Sequence, residues 1–572
     1  MIREGEPRLL LESALFGVVG ALGAQLFTWM LHLSNHFFLY GLAGYIPPDI
    51  EKGHALYQTT GAHGLWIIPA VTTLGGLLSG MLIYRFAPEA EGHGTDAAVI
   101  AFHRKQGVIR TRVAPIKLLA SAITIGSGGS AGREGPMALV VAGLGSLYAR
   151  LAHRSEQERR LLLLAGMAAG LAAIFRTPMG AGVFAIEVLY SNMEFEVGAL
   201  LYTMLASAVA YTLSGAFAGF GPLFRIPNIP VPMFSDDAAY AALGIAAGLI
   251  ATILPQVFYR GRDFFRALPV PVWIKPAIGG SAVGLLALWL PQILGGGYGW
   301  IQLAMQGQLT LFILLLLIFA KMIAFTLTVS SGGSGGVFAP SLFIGAMLGG
   351  SFGLMLHQPP QVFVVVGMAS VFGAAARVPI ATMLMVTEMA GGYQLLLPAG
   401  LAVMISYVLQ VWLSSHLKYR SLYEGQVPTR EDSPAHYMEH IQLALNLLGK
   451  RDIPLPDKPG RIDLLRLLRS RIRFDLPGGR QLTMCVISET SPLVGKTIRI
   501  LHQELGENDF ELVATMRREH VLLPHADTFL EANDRIVSIT SPAAQKALAK
   551  FLGPTSQIDK NGIQTPLSDL AA

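Results

Sequence analysis

Long apolar stretches, separated by short charged segments, fill about the first 425 residues of the chain. The stretch at 9–31 follows two arginines, but no clear signal-peptide cleavage site comes after it, so the pattern predicts a membrane-spanning helix. Several later stretches are too long for one crossing and too interrupted by glycine and proline for one straight helix. The later predicted spans cover residues 63–84, 113–149, 160–190, 195–217, 237–258, 273–290, 309–330, 338–356, 361–376 and 380–418.

Two similar decapeptides lie within these apolar stretches. Residues 127–136 read SGGSAGREGP and residues 331–340 read SGGSGGVFAP; they are identical at six positions and lie 204 residues apart. A second pair of blocks ends at Glu187 and at Glu388, with an offset of 201 residues. Because the two offsets nearly agree, the sequence predicts a duplicated membrane domain. The duplicated positions of Glu187 and Glu388 favour helix-end or packing roles for these two carboxylates.

The first decapeptide is predicted to lie inside the membrane. Basic residues flank both ends of the 113–149 stretch, so the positive-inside rule favours the same side for both ends. Glycine-rich breaks repeated in two halves point to a binding site built from discontinuous helices. Glu134 is an ionisable residue at membrane depth, where burial is costly and function is the default interpretation. The free N–H groups of the break, with the helix predicted to begin near Glu134, would attract an anion without a lysine.

Composition agrees with a membrane protein that carries a soluble tail. Hydrophobic residues make up 52% of the chain and charged residues only 14%, and 36 of the 79 charged residues lie after Thr429. The lone Cys485 excludes an internal disulfide and is consistent with a reducing compartment for the tail. The net charge of +5 suggests basic loops beside the membrane, and no nucleic-acid partner is expected.

Two motif-like segments suggest other functions. The run from Gly128 to Gly132 fits the G-x-S-x-G nucleophile elbow of hydrolases, but the elbow needs a soluble strand–turn–helix and an ordered His/Asp pair. Gly297-Tyr298-Gly299 resembles part of a potassium filter, although two glycines replace the preceding Thr-Val. Both interpretations are disfavoured, and no enzymatic activity is predicted.

Three motifs in order resemble the CLC family of anion channels and transporters over about residues 10–425. The family signatures G-S-G-I-P, G-[KR]-E-G-P and G-x-F-x-P correspond here to residues 92–96 (GHGTD), 132–136 (GREGP) and 336–340 (GVFAP). The resemblance implies an all-α polytopic homodimer, each subunit an inverted repeat with broken helices and its own pathway for chloride or another small anion. It implies no metal and no cofactor.

The resemblance also implies roles for particular residues. Glu134 would be the gate: its carboxylate mimics the anion, occupies the outer site and leaves when it is protonated or displaced. Alternatives stay open: a paired structural role for Glu134, an interfacial aromatic-belt role for Tyr423, and a His93 side chain turned away from the pore. The implied anion-binding or pore residues are His93, Gly94, Arg133, Gly135, Val337, Phe338, Ala339 and Tyr423.

Two departures from the family pattern bear on mechanism. His93 replaces the pore serine, which predicts an altered or pH-dependent anion preference. Val188 occupies the position where proton-coupled members usually carry the inner proton-transfer glutamate, and valine cannot relay a proton. The sequence therefore predicts an anion channel or uncoupled transporter in a bacterial inner membrane. The alternatives are a proton-coupled chloride antiporter and, more distantly, a ligand-gated cation channel.

The tail resembles the RCK C-terminal (TrkA-C) ligand-sensing domain, a small α/β fold. Predicted strands lie at 482–487, 512–516, 521–524 and 535–540, with a helix at 496–504; the motif residues lie at 491–497, 524–528 and 533–535. A cytosolic regulator that binds a small ligand is predicted, with a dimerisation domain as the alternative. The predicted domains are the membrane domain 1–425, a linker 426–476 with an Arg-rich helix at 461–473, the RCK-C-like domain 477–553 and a disordered tail 554–572.

Overall fold

The structure is a computed structural model in which the chain divides into two compact units, residues 1–430 and 431–572. We describe each unit separately. The described residues are 6–48, 59–60, 64–224, 226, 237–430, 432–436, 473–475, 480–488, 491–505, 510–517, 520–522, 529–532, 534–541, 544, 548, 557–558 and 564–565. Most of the predicted disordered tail, most of the predicted Arg-rich helix and the 524–528 motif lie outside these residues. Within the tail, residues 557–558 and 564–565 are described and pair as antiparallel strands, so the prediction of disorder is wrong there.

The first unit is helical. In its first half the helices are α1 (Glu6–Asn35), α2 (Ile68–Phe86), α3 (Thr95–Arg104), α4 (Val113–Gly126), α5 (Glu134–Leu151), α6 (Glu156–Phe175), α7 (Pro178–Glu187) and α8 (Leu200–Ala218). In its second half they are α9 (Asp237–Ala267), α10 (Lys275–Ala287), α11 (Tyr298–Met305), α12 (Leu311–Ser330), α13 (Phe338–Met355), α14 (Pro360–Ala375), α15 (Pro379–Ala390) and α16 (Leu396–Ser414). Two short antiparallel strands, β1 (Tyr45–Ile46) and β2 (Thr59–Thr60), follow α1.

Of the described helices, six are long and apolar enough to cross a membrane. The interrupted stretches predicted at 113–149, 160–190 and 380–418 each contain two α-helices, α4–α5, α6–α7 and α15–α16, which confirms the predicted broken helices. The prediction missed α3 and α11 because helices of 10 and 8 residues give no span-length apolar window.

Close backbone contacts hold the helices together. Gly345 on α13 and Gly367 on α14 face each other so closely that a Cβ on either one would lie 2.3 Å from the carbonyl oxygen of the other. A larger residue at either position would push the two helices apart. Small residues at such crossings are typical of helix packing in membranes, where close van der Waals contact replaces the hydrophobic drive.

The two carboxylates predicted at helix ends join the two repeats. Glu187 at the end of α7 accepts hydrogen bonds from the backbone N–H groups of Ile380 (3.1 Å) and Ala381 (2.6 Å) at the start of α15. Glu388 on α15 in turn accepts them from the start of α7, at 3.1 and 2.9 Å. Each carboxylate therefore caps the first turn of the helix in the opposite repeat, which agrees with the predicted helix-end role.

The second unit contains a five-stranded antiparallel sheet in the order β3–β4–β7–β5–β6. The elements of this unit, in chain order, are β3 (Arg473–Asp475), β4 (Gln481–Val486), α17 (Ile498–Leu505), β5 (Phe510–Arg517), β6 (His520–Leu522) and β7 (Arg535–Thr540). Two further strands, β8 (Gln557–Ile558) and β9 (Gln564–Thr565), pair with each other. Leu501 of α17 packs in one buried cluster with Phe510 and Ile536. The predicted strands and helix are therefore present, but Arg473, the predicted end of the Arg-rich helix, lies in β3 because it pairs with Thr483.

Arg517 links the end of β5 to the turn before β7. Arg517 donates to both carboxylate oxygens of Asp534 (2.9 and 2.8 Å), to Glu531 (2.6 Å) and to the carbonyl of Phe529 (2.6 Å). These bonds, that to Asp534 foremost, raise the pKa of the guanidinium. The bidentate geometry fixes the turn before β7 against the end of β5.

Candidate anion site

The two decapeptides meet in the middle of the first unit. Gly132 and Gly336 exchange backbone hydrogen bonds of 2.7 and 2.6 Å, and each follows the helix that ends before its own break. The hydroxyl groups of Ser121 and Ser334 lie 2.8 Å apart, and the amide of Ser130 donates to the hydroxyl of Thr328 (3.0 Å). The breaks therefore satisfy part of their buried backbone by pairing across the two repeats.

Helices begin on either side of this pairing. Helix α5 begins at Glu134 and α13 at Phe338, directly after the two breaks. Helix α3 approaches the same place, since a Cβ on Gly135 would lie 2.0 Å from the carbonyl oxygen of His93. The first N–H groups of a helix have no partner within it, and its N-terminus carries partial positive charge. Three helix starts therefore lie close together, an arrangement that favours an anion.

The carboxylate of Glu134 lies among these helix starts and is fully buried. Its Oε1 accepts a hydrogen bond from the hydroxyl of Tyr298, while its Oε2 has no hydrogen-bond partner among the described residues. A Cβ on Gly132 would lie 2.1 Å from that Oε2 and 3.1 Å from the amide nitrogen of Ala339. One carboxylate oxygen therefore lies beside the start of α13, where a halide ion would find amide donors.

Val337, Phe338 and Ala339, the predicted anion-binding residues of the third motif, are all buried at the start of α13. The Phe338 ring packs on three other rings, those of Phe175, Phe184 and Phe372, with centroids 4.4, 6.0 and 4.2 Å away. This cluster fixes the first turn of the helix, so its amides keep their direction.

His93 and Tyr423 lie together. Their ring centroids are 5.5 Å apart, and both side chains are nearly fully buried. The Nδ1 atom of His93 has no hydrogen-bond partner among the described residues. Gly94, the residue after His93, has φ of +87°, and a Cβ there would lie 2.7 Å from the carbonyl oxygen of Gly135. The first and second motifs are therefore in direct backbone contact beside these two rings.

Two buried lysines hold loops next to the site. Lys117 on α4 donates to the carbonyl oxygens of Ala90 (3.0 Å) and Gly92 (2.6 Å), just before His93. Lys321 on α12 donates to those of Ile293 (2.8 Å) and Gly295 (2.7 Å), just before Tyr298. Both side chains are fully buried, and their hydrogen bonds to carbonyl oxygens fix the loops that precede the short helices α3 and α11.

Val188 directly follows α7 and is fully buried. The adjacent carbonyl of Leu189 contacts a ring nitrogen of His103 on α3 (2.9 Å) and accepts from the amide of Val427 (3.2 Å). The hydrolase interpretation fails on local structure, since Ser130 follows helix α4 and not a strand. Gly297-Tyr298-Gly299 forms the start of helix α11 and not an extended carbonyl filter.

The sequence interpretation missed Tyr298, Lys117 and Lys321. The two lysines are 204 residues apart, the offset of the decapeptides, and this match was a usable signal. Tyr298 gave no such signal, because its contact with Glu134 joins segments 164 residues apart.

The fold is that of a duplicated helical membrane protein in which helix starts from both repeats meet at the two decapeptides. A family model described as voltage gated chloride channel matches residues 75–410, and the TrkA-C domain model matches residues 482–553. The chain belongs to the voltage-gated chloride channel (CLC) family, whose members carry chloride across membranes, and it has a TrkA-C domain in its C-terminal part.

Two relatives illustrate the range of the family. A ClcB-like chloride channel protein of Ralstonia nicotianae is 30% identical over 70% of this chain and 93% of its own length. The H(+)/Cl(-) exchange transporter ClcA of Cronobacter sakazakii is 32% identical over 59% of this chain and 76% of its own length.

Solved structures share the fold. A CLC-type fluoride/proton antiporter has a TM-score of 0.63 and 24% identity, with 75% of this chain and 100% of that chain covered. A slow cyanobacterial Cl−/H+ antiporter has a TM-score of 0.61 and 23% identity, with 73% and 95% covered.

Proposed function

We propose that this protein is a CLC-type chloride channel or uncoupled transporter whose gate is Glu134. The observation that carries the proposal is the Glu134 carboxylate, buried between helix starts with one oxygen beside the amide of Ala339. A carboxylate in this position takes the place of the permeant anion. When it is protonated it loses the charge that holds it there, and the anion replaces it.

The residues around the gate form the pathway in this proposal. The amides of Val337, Phe338 and Ala339, and those from Arg133 to Gly135, coordinate the dehydrated anion. On the other side, His93 and Tyr423 flank the inner site, and the free Nδ1 of His93 supplies either a donor or a lone pair, depending on its tautomer. Gly94 allows the close approach of the first motif to the second.

Val188 supports the uncoupled interpretation, since its side chain has no group that can bind and release a proton. The second candidate is a proton-coupled antiporter, favoured by the exchanger name of the Cronobacter relative. Asp96 is an internal carboxylate that a different proton route could use: it accepts a hydrogen bond of 2.7 Å from the amide of Gly425, two residues after Tyr423.

The remaining features complete the proposal. The protein acts as a homodimer in a bacterial inner membrane, with the TrkA-C domain in the cytoplasm. That domain binds a small ligand, and binding changes transport only to the extent that the ligand prefers one gating state. The permeant ion is chloride or another small anion and not a cation, since the family match is to chloride channels.

A reversal-potential measurement tests the proposal. Purified protein in liposomes is placed under a chloride gradient, a potassium gradient and a pH gradient in turn. We expect the potential to follow chloride alone. A potential that tracks the pH gradient, and loses this dependence in Glu134→Gln, would make the protein an antiporter; one that follows potassium would refute anion transport.

A further inference from the structure

The hydroxyl of Tyr298 is directed at the gate. It donates a hydrogen bond to Oε1 of Glu134, and the two residues belong to different repeats and different helices, α11 and α5. The other carboxylate oxygen has no hydrogen-bond partner among the described residues. A hydrogen bond to an ionised carboxylate is among the strong ones, so the contact favours the charged, inserted form of Glu134.

The tyrosine is held in place from three directions. Its loop is fixed by Lys321, which donates to the carbonyl oxygens of Ile293 and Gly295. The guanidinium carbon of Arg133 lies 5.3 Å from the ring centroid, a cation–π distance. Phe224 packs against the ring, with centroids 6.3 Å apart. These contacts restrict the position of the Tyr298 ring and therefore of its hydroxyl.

A cavity of about 600 Å³ lies beside this contact. Arg133, Tyr298 and the glycines at 295–297 form part of its lining, together with His32 and Asn35 from α1. A gate that leaves Tyr298 therefore has open space and a cationic wall next to it. The Nε of Arg133 has no hydrogen-bond partner among the described residues, so this wall keeps donor capacity for an arriving anion.

We propose that Tyr298 is a latch, a positioning residue that holds the ionised Glu134 in its inserted position and sets the pH at which the gate opens. This inference rests on the proposed function of Glu134 as the gate. The titratable and charged groups from the elements around Glu134 are Arg133 before α5, Tyr298 on α11, His93 before α3, Lys117 on α4, Lys321 on α12 and Tyr423 after α16. Among them the hydrogen bond to Glu134 comes from Tyr298.

The latch predicts the sign of a pH shift. Tyr298→Phe keeps the ring that Arg133 and Phe224 contact and removes only the hydroxyl. Without the donor the ionised, inserted gate is less stable, so protonation releases it at higher pH. We expect the pH of half-maximal chloride flux to rise by about one to two units, the range that a hydrogen bond to a charged group implies.

The experiment measures chloride flux from proteoliposomes against external pH for four proteins. These are the wild type, Tyr298→Phe, Glu134→Gln and the double variant. Tyr190→Phe is the matched control, because Tyr190 also donates to a buried glutamate, Glu196 (2.6 Å), away from the gate. We expect an upward shift in Tyr298→Phe, no shift in Tyr190→Phe, and no effect of Tyr298→Phe once Glu134 is glutamine.

The outcomes separate the latch from the gate. If Glu134→Gln keeps the wild-type pH profile, the gate assignment itself fails. If Glu134→Gln removes the pH dependence but Tyr298→Phe shifts nothing, the gate stands and the latch is refuted. An equal change in flux from Tyr298→Phe in both backgrounds would also refute the latch, since it would mean that the hydroxyl acts on the fold and not through Glu134.

Discussion

If Glu134 is the gate, as proposed, replacing it by glutamine removes the charge that holds the side chain between the helix starts. Two stabilising contributions are lost or weakened. The hydrogen bond from Tyr298 to a charged acceptor contributes about 1.5–3 kcal/mol. The N-termini of α5 and α13 add roughly 1–2 kcal/mol each for a buried anion.

The amide of glutamine retains part of the hydrogen bond, so we use the lower limits of these contributions. A loss of at least about 3 kcal/mol changes the ratio of inserted to released gate by about a hundredfold or more, since each 1.4 kcal/mol is a factor of ten. At a pH where the wild-type gate is ionised, the variant should therefore conduct chloride about as well as the wild type does when its gate is protonated.

Chloride efflux from liposomes at a series of external pH values measures this effect. Glu134→Gln should give flux that is nearly independent of pH, with conductance retained. Glu156→Gln is the control, because Glu156 pairs with Arg160 (2.6 Å) outside the pathway; its pH profile should match the wild type. A Glu134→Gln profile that still rises in acid would refute the electrostatic account of the gate.

Three further predictions concern other parts of the chain. His93→Ser should change the chloride-to-nitrate or chloride-to-fluoride permeability ratio, and unchanged ratios in both His93→Ser and Tyr423→Ala would place neither side chain in the pathway. Glu388→Gln leaves one of two capped amides at the start of α7 without an acceptor, so unfolding in detergent should be easier by roughly 1–3 kcal/mol, and an unchanged midpoint would contradict the cap. Truncation after Pro428 should leave an anion-permeable dimer whose flux no longer responds to small ligands, whereas failure to assemble would favour the dimerisation role.

The duplicated positions were the parts of the site that the sequence could predict. The decapeptides around Gly132 and Gly336 are identical at six of ten positions because their glycines allow the backbone of one repeat to pair with that of the other. Glu187 and Glu388 kept their identity because each caps the other repeat's helix. Where the two repeats make equivalent contacts, the same residue types recur at a fixed offset, and the sequence shows the duplication.

Contacts without a counterpart in the other repeat could not be predicted, because no repeated sequence marks them. The hydroxyl of Tyr298 meets Glu134 across 164 residues, and the partner position in the other repeat has no carboxylate: Phe338 begins α13 where Glu134 begins α5. In the tail, β3 has three residues and gains its stability from pairing with β4, so no local preference predicts it. Both failures have the same cause, since tertiary partners decide these positions.

The loops before α3 and α11 combine a repeated backbone with side-chain contacts that occur in only one repeat. Each begins at a proline, Pro88 or Pro291, and each ends at a glycine with positive φ, Gly94 (+87°) or Gly297 (+80°), from which a short helix starts. The two prolines and the two glycines are 203 residues apart, and a buried lysine holds two carbonyls in each loop.

The loops are therefore related by the duplication even though few of their side chains match. The backbone is kept because a lysine and a left-handed glycine fix where the short helix starts, and the side chains are then free to differ. In the first loop that freedom places His93 beside Tyr423, and in the second it places Tyr298 against Glu134. In the proposed mechanism, these two related loops supply the inner side of the anion site in one repeat and the contact for the gate in the other.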